Sequence, residues 1–272
     1  ALNRSPEQVQ RVLWEAVRQE MVERTAEGYN FAHDRIHEAA YSLLAAPQRA
    51  EAHLRIGRLL ATQMLPGQQE ESIFEIVGQL NRGAALIDEQ PEREQLAAFN
   101  LLAALRAKAS TAYASALAYL AAGIELLAAD RWTRQHELSF ALELNRAQCE
   151  FPTGQLIAAD QRLAALMDQA STTVERGQIT CLQMDVHLLL DRSDRAVAAS
   201  LDYLCHVDID WSAHPHDDEV RREYDQIWLR LGDRSIESLI DLPLMQDAAS
   251  LVTLDVLGKL FAPALQSDAN LA

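Results

Sequence analysis

Lysine is almost missing from this sequence. Lys108 and Lys259 are the only two among 272 residues, so arginine supplies nearly all the positive charge. Glycine and proline are scarce, at 10 and 8, which leaves few turn signals and speaks against a chain of many short strands. Three cysteines, Cys149, Cys181 and Cys205, are too few and too scattered for a disulfide framework, and a reducing cytoplasm is the expected setting. No run of about 18 uninterrupted apolar residues occurs, so no membrane span is expected. The opening Ala1-Leu2-Asn3-Arg4-Ser5-Pro6 holds neither an initiator Met nor a charged-then-apolar signal pattern, and reads as an internal piece of a longer chain. Basic side chains are outnumbered 24 to 40, and the resulting net charge of −16 repels phosphate and disfavours general nucleic-acid binding.

What the sequence does have is alanine, leucine and other apolar residues, 49% in all, enough for a real core. That composition points to an all-α chain. Residues 1–60 are electrically balanced, with eight arginines against eight acids, so the remainder holds all the net charge. Two modules are expected, 1–66 and 67–272.

In the first module, Ser5-Pro6-Glu7 is a helix start, and Val9, Leu13, Val17 and Met21 follow along one helical face. Met21-Val22 and Tyr29-Asn30-Phe31 flank a break and can pair as a short hairpin. A second helix over 34–44 is expected to bury Ile36, Ala40, Leu43 and Leu44. A third starts at Pro47, with Leu54, Leu60 and Met64 facing inward. Helices around a small hairpin read as a winged-helix-like unit.

Beyond residue 70 the pattern is helix after helix. Helices over 132–151 and 156–169 pair across Pro152-Thr153-Gly154, and those over 174–190 and 195–207 across Asp191-Arg192-Ser193. Second helices near Ala112, Ala158 and Ala196 recur at about the 34–45-residue period of helical-hairpin repeats. The expected architecture is therefore a tetratricopeptide-like α-solenoid, closed by a polar loop over 208–219, helices over 219–232 and 247–261, and an unpatterned tail from Pro263.

Phe31-Ala32-His33-Asp34-Arg35-Ile36-His37-Glu38-Ala39-Ala40-Tyr41-Ser42-Leu43 resembles a run in large bacterial signalling proteins that carry a STAND-type AAA+ ATPase module followed by helical repeats. The resemblance continues through His53-Leu54-Arg55-Ile56-Gly57-Arg58-Leu59-Leu60 and through residues 73–83, 108–113 and 235–243. Such proteins often have a serine/threonine kinase domain in front and GAF and histidine-kinase domains behind. The resemblance implies that 1–66 is the winged-helix end of the ATPase module and that the rest begins the repeat array. The implied role is a non-catalytic scaffold that relays the ATPase state and binds neighbouring domains or protein partners. ATP or ADP and magnesium would belong to the larger protein, with no cofactor in this piece. A repeat groove that senses a small molecule or peptide is the alternative.

The resemblance also singles out His33 and Asp34, because a winged-helix histidine in STAND proteins can reach the β-phosphate of bound ADP. The competing reading makes Asp34 a helix cap and His33 a packing residue. A phosphate-binding loop is absent: Gly258-Lys259 is followed by Leu260 and lacks the earlier glycine. His206, Asp208, Asp210, His214, His216, Asp217 and Asp218 alternate irregularly around Pro215 and read as a solvated loop, not a metal site. Cys181 and Cys205 read as small core residues, and Trp14, Trp132, Trp211 and Trp228 as packing residues.

Overall fold

The computed structural model describes residues 5–25, 28–63 and 69–272. Apart from one two-stranded hairpin, regular structure among them is helical. The chain divides into two compact units, Ala1–Arg106 with Glu125–Ala128, and Ala107–Ile124 with Ala129–Ala272. The sequence-expected junction at 66–67 lies outside the described residues.

In the first unit, α1 (Pro6–Arg18) starts as its sequence dictates. The Gln8 amide N–H donates to Ser5 Oγ at 3.3 Å while Gln8 Oε1 accepts from the Ser5 N–H at 3.2 Å, satisfying donors that a bare helix end would leave open. Strands β1 (Val22–Arg24) and β2 (Tyr29–Phe31) pair antiparallel, Val22 opposite Phe31, as the sequence predicts. Helix α2 (Asp34–Ser42) differs from expectation, because it buries nothing. Ile36 and Ala40 are half-buried, Leu44 is exposed and Leu43 is 85% exposed. The helix ends before Leu43, so the last two leucines leave the face they would have shared.

Helices α3 (Ala46–Gln63) and α4 (Gln69–Gly83) pack closely. Glycine permits the approach: a Cβ on Gly57 would lie 2.5 Å from Leu80 Cδ2, and one on Gly83 2.7 Å from Leu54 Cβ. Leu54 is buried and Leu60 half-buried, as expected, while Met64 lies outside the described residues. Helix α5 (Gln90–Ala109) follows, and its fully buried Asn100 exchanges two amide hydrogen bonds with Asn81 of α4, at 2.8 and 2.9 Å.

The second unit takes most of α6 (Tyr113–Leu126), then α7 (Arg131–Arg134), α8 (His136–Glu150), α9 (Leu156–Met167), α10 (Thr173–Leu189), α11 (Ser193–His206), α12 (Asp217–Leu231) and α13 (Ala248–Ser267). Helices α8 to α11 each pack on the next, and α13 packs on both α10 and α11. One core joins Phe140, Leu144, Leu163, Leu166, Ile179 and Val186 between α8, α9 and α10. A second joins Met184, Val197, Leu204, Val252, Val256 and Leu260 between α10, α11 and α13.

The turns between paired helices share one geometry. Thr111, Gly154 and Asp191 have φ of +58°, +77° and +57°. The following N–H groups reach back five residues, Ala112 to Ala107, Gln155 to Glu150 and Arg192 to His187, at 2.8–2.9 Å. Each is a Schellman stop, in which a left-handed residue lets the last carbonyls of a helix find donors.

Two more helices depart from the sequence reading. The 132–151 helix is broken at Gln135 into α7 and α8. Helix α13 runs through Pro263 to Ser267, so the expected tail is partly helical; Pro263 and Ala264 are buried and extend the stripe begun by Val256 and Leu260. Among the described residues α13 is also the one helix long and apolar enough to cross a membrane by length and composition. Its Val252, Val256, Leu260 and Ala264 face is buried in the second core.

Candidate functional site

His33 and Asp34 stand at the start of α2, and both are exposed. His33 is the N-cap residue and its side chain makes no capping bond; Asp34 is the first helical residue, not the cap. The His33 carbonyl accepts from the N–H groups of Ile36 and His37, at 2.9 and 3.2 Å.

The rest of the 31–53 run builds a ladder of rings. Phe31 lies 5.1 Å from His37, His37 lies 6.3 Å from Tyr41, and Tyr41 lies 5.8 Å from His53 between ring centres. The Arg49 guanidinium sits 4.9 Å over the Tyr41 ring, a cation–π distance. His53, nearly buried, has Gln79 Oε1 2.6 Å from Nδ1 and Tyr41 Oη 2.8 Å from Nε2. With Gln79 as acceptor, His53 donates from Nδ1 and accepts the Tyr41 hydroxyl proton at Nε2. Three helices, α2, α3 and α4, are thus tied through one imidazole. The far end of α2 is fixed while its first turn, with His33 and Asp34, stays open.

In the second unit the polar centre is a set of ion pairs that the sequence reading missed. Arg162 of α9 is bidentate on Glu150, Nε and Nη2 donating at 2.9 and 2.8 Å, and its Nη1 donates to Glu143 at 2.6 Å. Arg131 of α7 donates to the other Glu143 oxygen at 2.7 Å, and Arg146 lies 3.3 Å from Glu150. Both carboxylates are buried. Burial works to lower the Arg162 pKa, but the hydrogen bonds it donates to Glu150 and Glu143 outweigh it and raise the value. Glu143 and Glu150 stand seven residues apart, two turns of one helix face, a spacing that two solvent-facing acids on a helix would share.

Other charged groups hold helices together. Lys108 donates to Gln148 Oε1 at 2.7 Å and to Asn145 Oδ1; burial among these neutral amides lowers its pKa. Lys259, mid-helix in α13, pairs with both Asp185 oxygens at 2.5 and 2.7 Å, so Gly258-Lys259 is no loop. Cys149 is buried and Cys181 half-buried, and burial raises both thiols, Cys181 to about 11. Cys205 is exposed, contrary to its expected core position: in the last turn of α11 it is Tyr203 and Leu204 that face the core, and Cys205 falls to the solvent side of that stripe. Of the tryptophans only Trp132 packs on a core; Trp14, Trp211 and Trp228 are exposed.

Among the described residues no three His, Cys, Asp or Glu side chains converge on a metal-sized site. In the 206–218 stretch His214 faces Asp268 at 2.9 Å, and Asp217 accepts from Asn270 at 3.1 Å.

No family model and no solved structure matches the chain. It is similar to the hybrid signal transduction histidine kinase G of Dictyostelium discoideum, with 26% identity over 237 aligned residues that take in 78% of this chain. That is a signalling-kinase context. The chain spans 7% of the relative's length.

Proposed function

We propose that this chain is a non-catalytic, regulatory helical segment of a larger signal-transduction kinase. It relays the state of an ATPase module and contacts protein partners or neighbouring domains of the same chain. Similarity to a hybrid histidine kinase over most of the chain is the observation that carries this reading. The serial packing of α8 to α11 and the shared Schellman turns support a tetratricopeptide-like array, in which each helical hairpin buries its face on the next. The hairpin and the short helices around it support a winged-helix-like start. Within the larger protein, His33 and Asp34, open at the start of α2, are proposed to sense ADP, with ATP or ADP and magnesium held by the neighbouring module. The cytoplasm is the proposed setting.

Phosphate release from ATP by the purified chain tests the non-catalytic part. Release at background is expected, since the sequence offers no loop to cradle the phosphates. Turnover that co-purifies with the chain through successive columns contradicts it.

A further inference from the structure

Helix α12 has no buried residue. Val220, Tyr224, Ile227 and Trp228 are exposed and Leu231 half-exposed, and their spacing of four, three, one and three lays them along one stripe. Ile236, Leu239, Ile240, Leu242, Leu244 and Met245 follow, all exposed. The ends of α12 are nonetheless defined, and its first turn is held to the end of the chain. His216 and Glu219 form a capping box, with the His216 N–H donating to Glu219 Oε2 at 2.8 Å. Asn270 holds Pro215 O and Asp217 Oδ1 at 3.1 Å, and Gly232, at φ +59°, ends the helix. A pinned helix that bares an apolar stripe is built to be covered.

The charges on α12 indicate what covers it. The first turn is acidic, with Asp217, Asp218 and Glu219, and the last turn carries Arg230. A second α12 laid antiparallel satisfies both ends, and the opposed helix dipoles attract as well. With Val220 set opposite Leu231 of the second copy and Tyr224 opposite Ile227, the stripes interdigitate as alternating coiled-coil layers. In the same register Glu223 meets Arg230 of the second copy, and Arg221 meets the Trp228 ring as a cation–π pair. Twofold symmetry makes every one of these contacts twice. A parallel arrangement would instead place acidic first turns side by side.

We propose that two copies of this chain associate through α12, packed antiparallel across the 220–231 stripe. The pairing is independent of the relay reading, since a monomer can relay and a dimer can form in a chain that does not.

Sedimentation equilibrium of the purified chain, from micromolar to submillimolar concentration, reads the association. A concentration-dependent doubling of mass is expected, abolished in Ile227→Glu and in Trp228→Arg, which sets like charges against Arg221 of the second copy, with helical circular dichroism unchanged, since both side chains are exposed. Glu223→Arg and Arg230→Glu should each weaken the dimer roughly tenfold or more, and the two together should restore it, because the pair is only exchanged. A chain that stays monomeric throughout overturns the proposal. So does a dimer indifferent to these substitutions, or a double exchange that fails to restore association.

Discussion

Arg162 grips both carboxylate oxygens of Glu150, at 2.8 and 2.9 Å, across the α8–α9 interface. The Glu150 side chain is 3% exposed, so without Arg162 its charge would be left in a dry setting with only Arg146, 3.3 Å away, beside it. Removing one partner of such a buried pair typically costs about 3–5 kcal/mol. Arg162→Met should therefore lower the denaturant midpoint of the second unit sharply. Replacing Arg131, Arg162, Glu143 and Glu150 together by apolar residues of similar volume should cost less than the single change, because each buried charge leaves with its partner and Arg146 can turn to solvent. Urea unfolding followed by circular dichroism compares the two.

His187 gives the chain an acid-sensitive joint. It is buried at the end of α10, its Nδ1 has no hydrogen-bond partner among the described residues, and its Nε2 lies 3.8 Å from Asp160 of α9. Burial lowers its pKa; Asp160 works the other way, while Arg195 and Arg192 add to the lowering. A histidine depressed below its ordinary value binds fewer protons folded than unfolded, so its contribution is complete above about pH 6.5 and declines as the pH falls through the folded value. Thermal melts between pH 7.5 and 5 (values set by the ordinary histidine range of about 6.5) should show falling stability, with a smaller fall in His187→Gln.

Thr111 holds a left-handed conformation, φ +58°, that a β-branched residue adopts at a cost. Thr111→Gly should relieve that strain and raise stability by about 0.5–1 kcal/mol net of the greater freedom of glycine when unfolded. Thr111→Ala should give much less. Differential scanning calorimetry of the three chains checks the order.

Gly177 of α10 faces Val252 of α13, where a Cβ would lie 2.6 Å from Val252 Cγ2 and 3.1 Å from Tyr203 Oη. Gly177→Ala should overpack this contact and destabilise the unit by about 1–3 kcal/mol. Gly258→Ala, where nothing lies within 4 Å, should be tolerated, and the paired melts measure the difference.

The parts of the fold that depend on local pattern were legible. Ser5-Pro6 with Gln8, the hairpin around 22–31 and the helical hairpins of 136–206 all follow from capping residues and period. What depends on distant neighbours was not. Glu143 and Glu150 look like ordinary solvent-facing acids until Arg162 arrives from the next helix to neutralise them. Thr111 and Asp191 do the work usually left to glycine, so their Schellman turns carry no glycine signal. Leu43 and Leu44 continue an apolar spacing that the backbone abandons. At the candidate site, the sequence singled out His33 and Asp34, whereas the Tyr41–His53–Gln79 chain that anchors α2 spans three helices and leaves no local trace.

His33 separates a sensing role from a packing one. Its side chain is exposed and makes no capping bond, so His33→Ala should change the melting temperature of the chain very little, within the range of about 0.5 kcal/mol usual for surface sites. In a larger protein bearing the nucleotide module, the same change should speed ADP release. A hydrogen bond to a charged group is worth roughly 1.5–3 kcal/mol, a shift of about 10- to 150-fold.

The relay itself is tested most directly by autophosphorylation of a hybrid histidine kinase that carries this chain, measured with wild-type residues and with Arg162→Met. The account predicts that loosening the α8–α9 contact alters the regulated output while the isolated kinase domain keeps its activity. Autophosphorylation with the same level and the same response to stimulus in both proteins would contradict it.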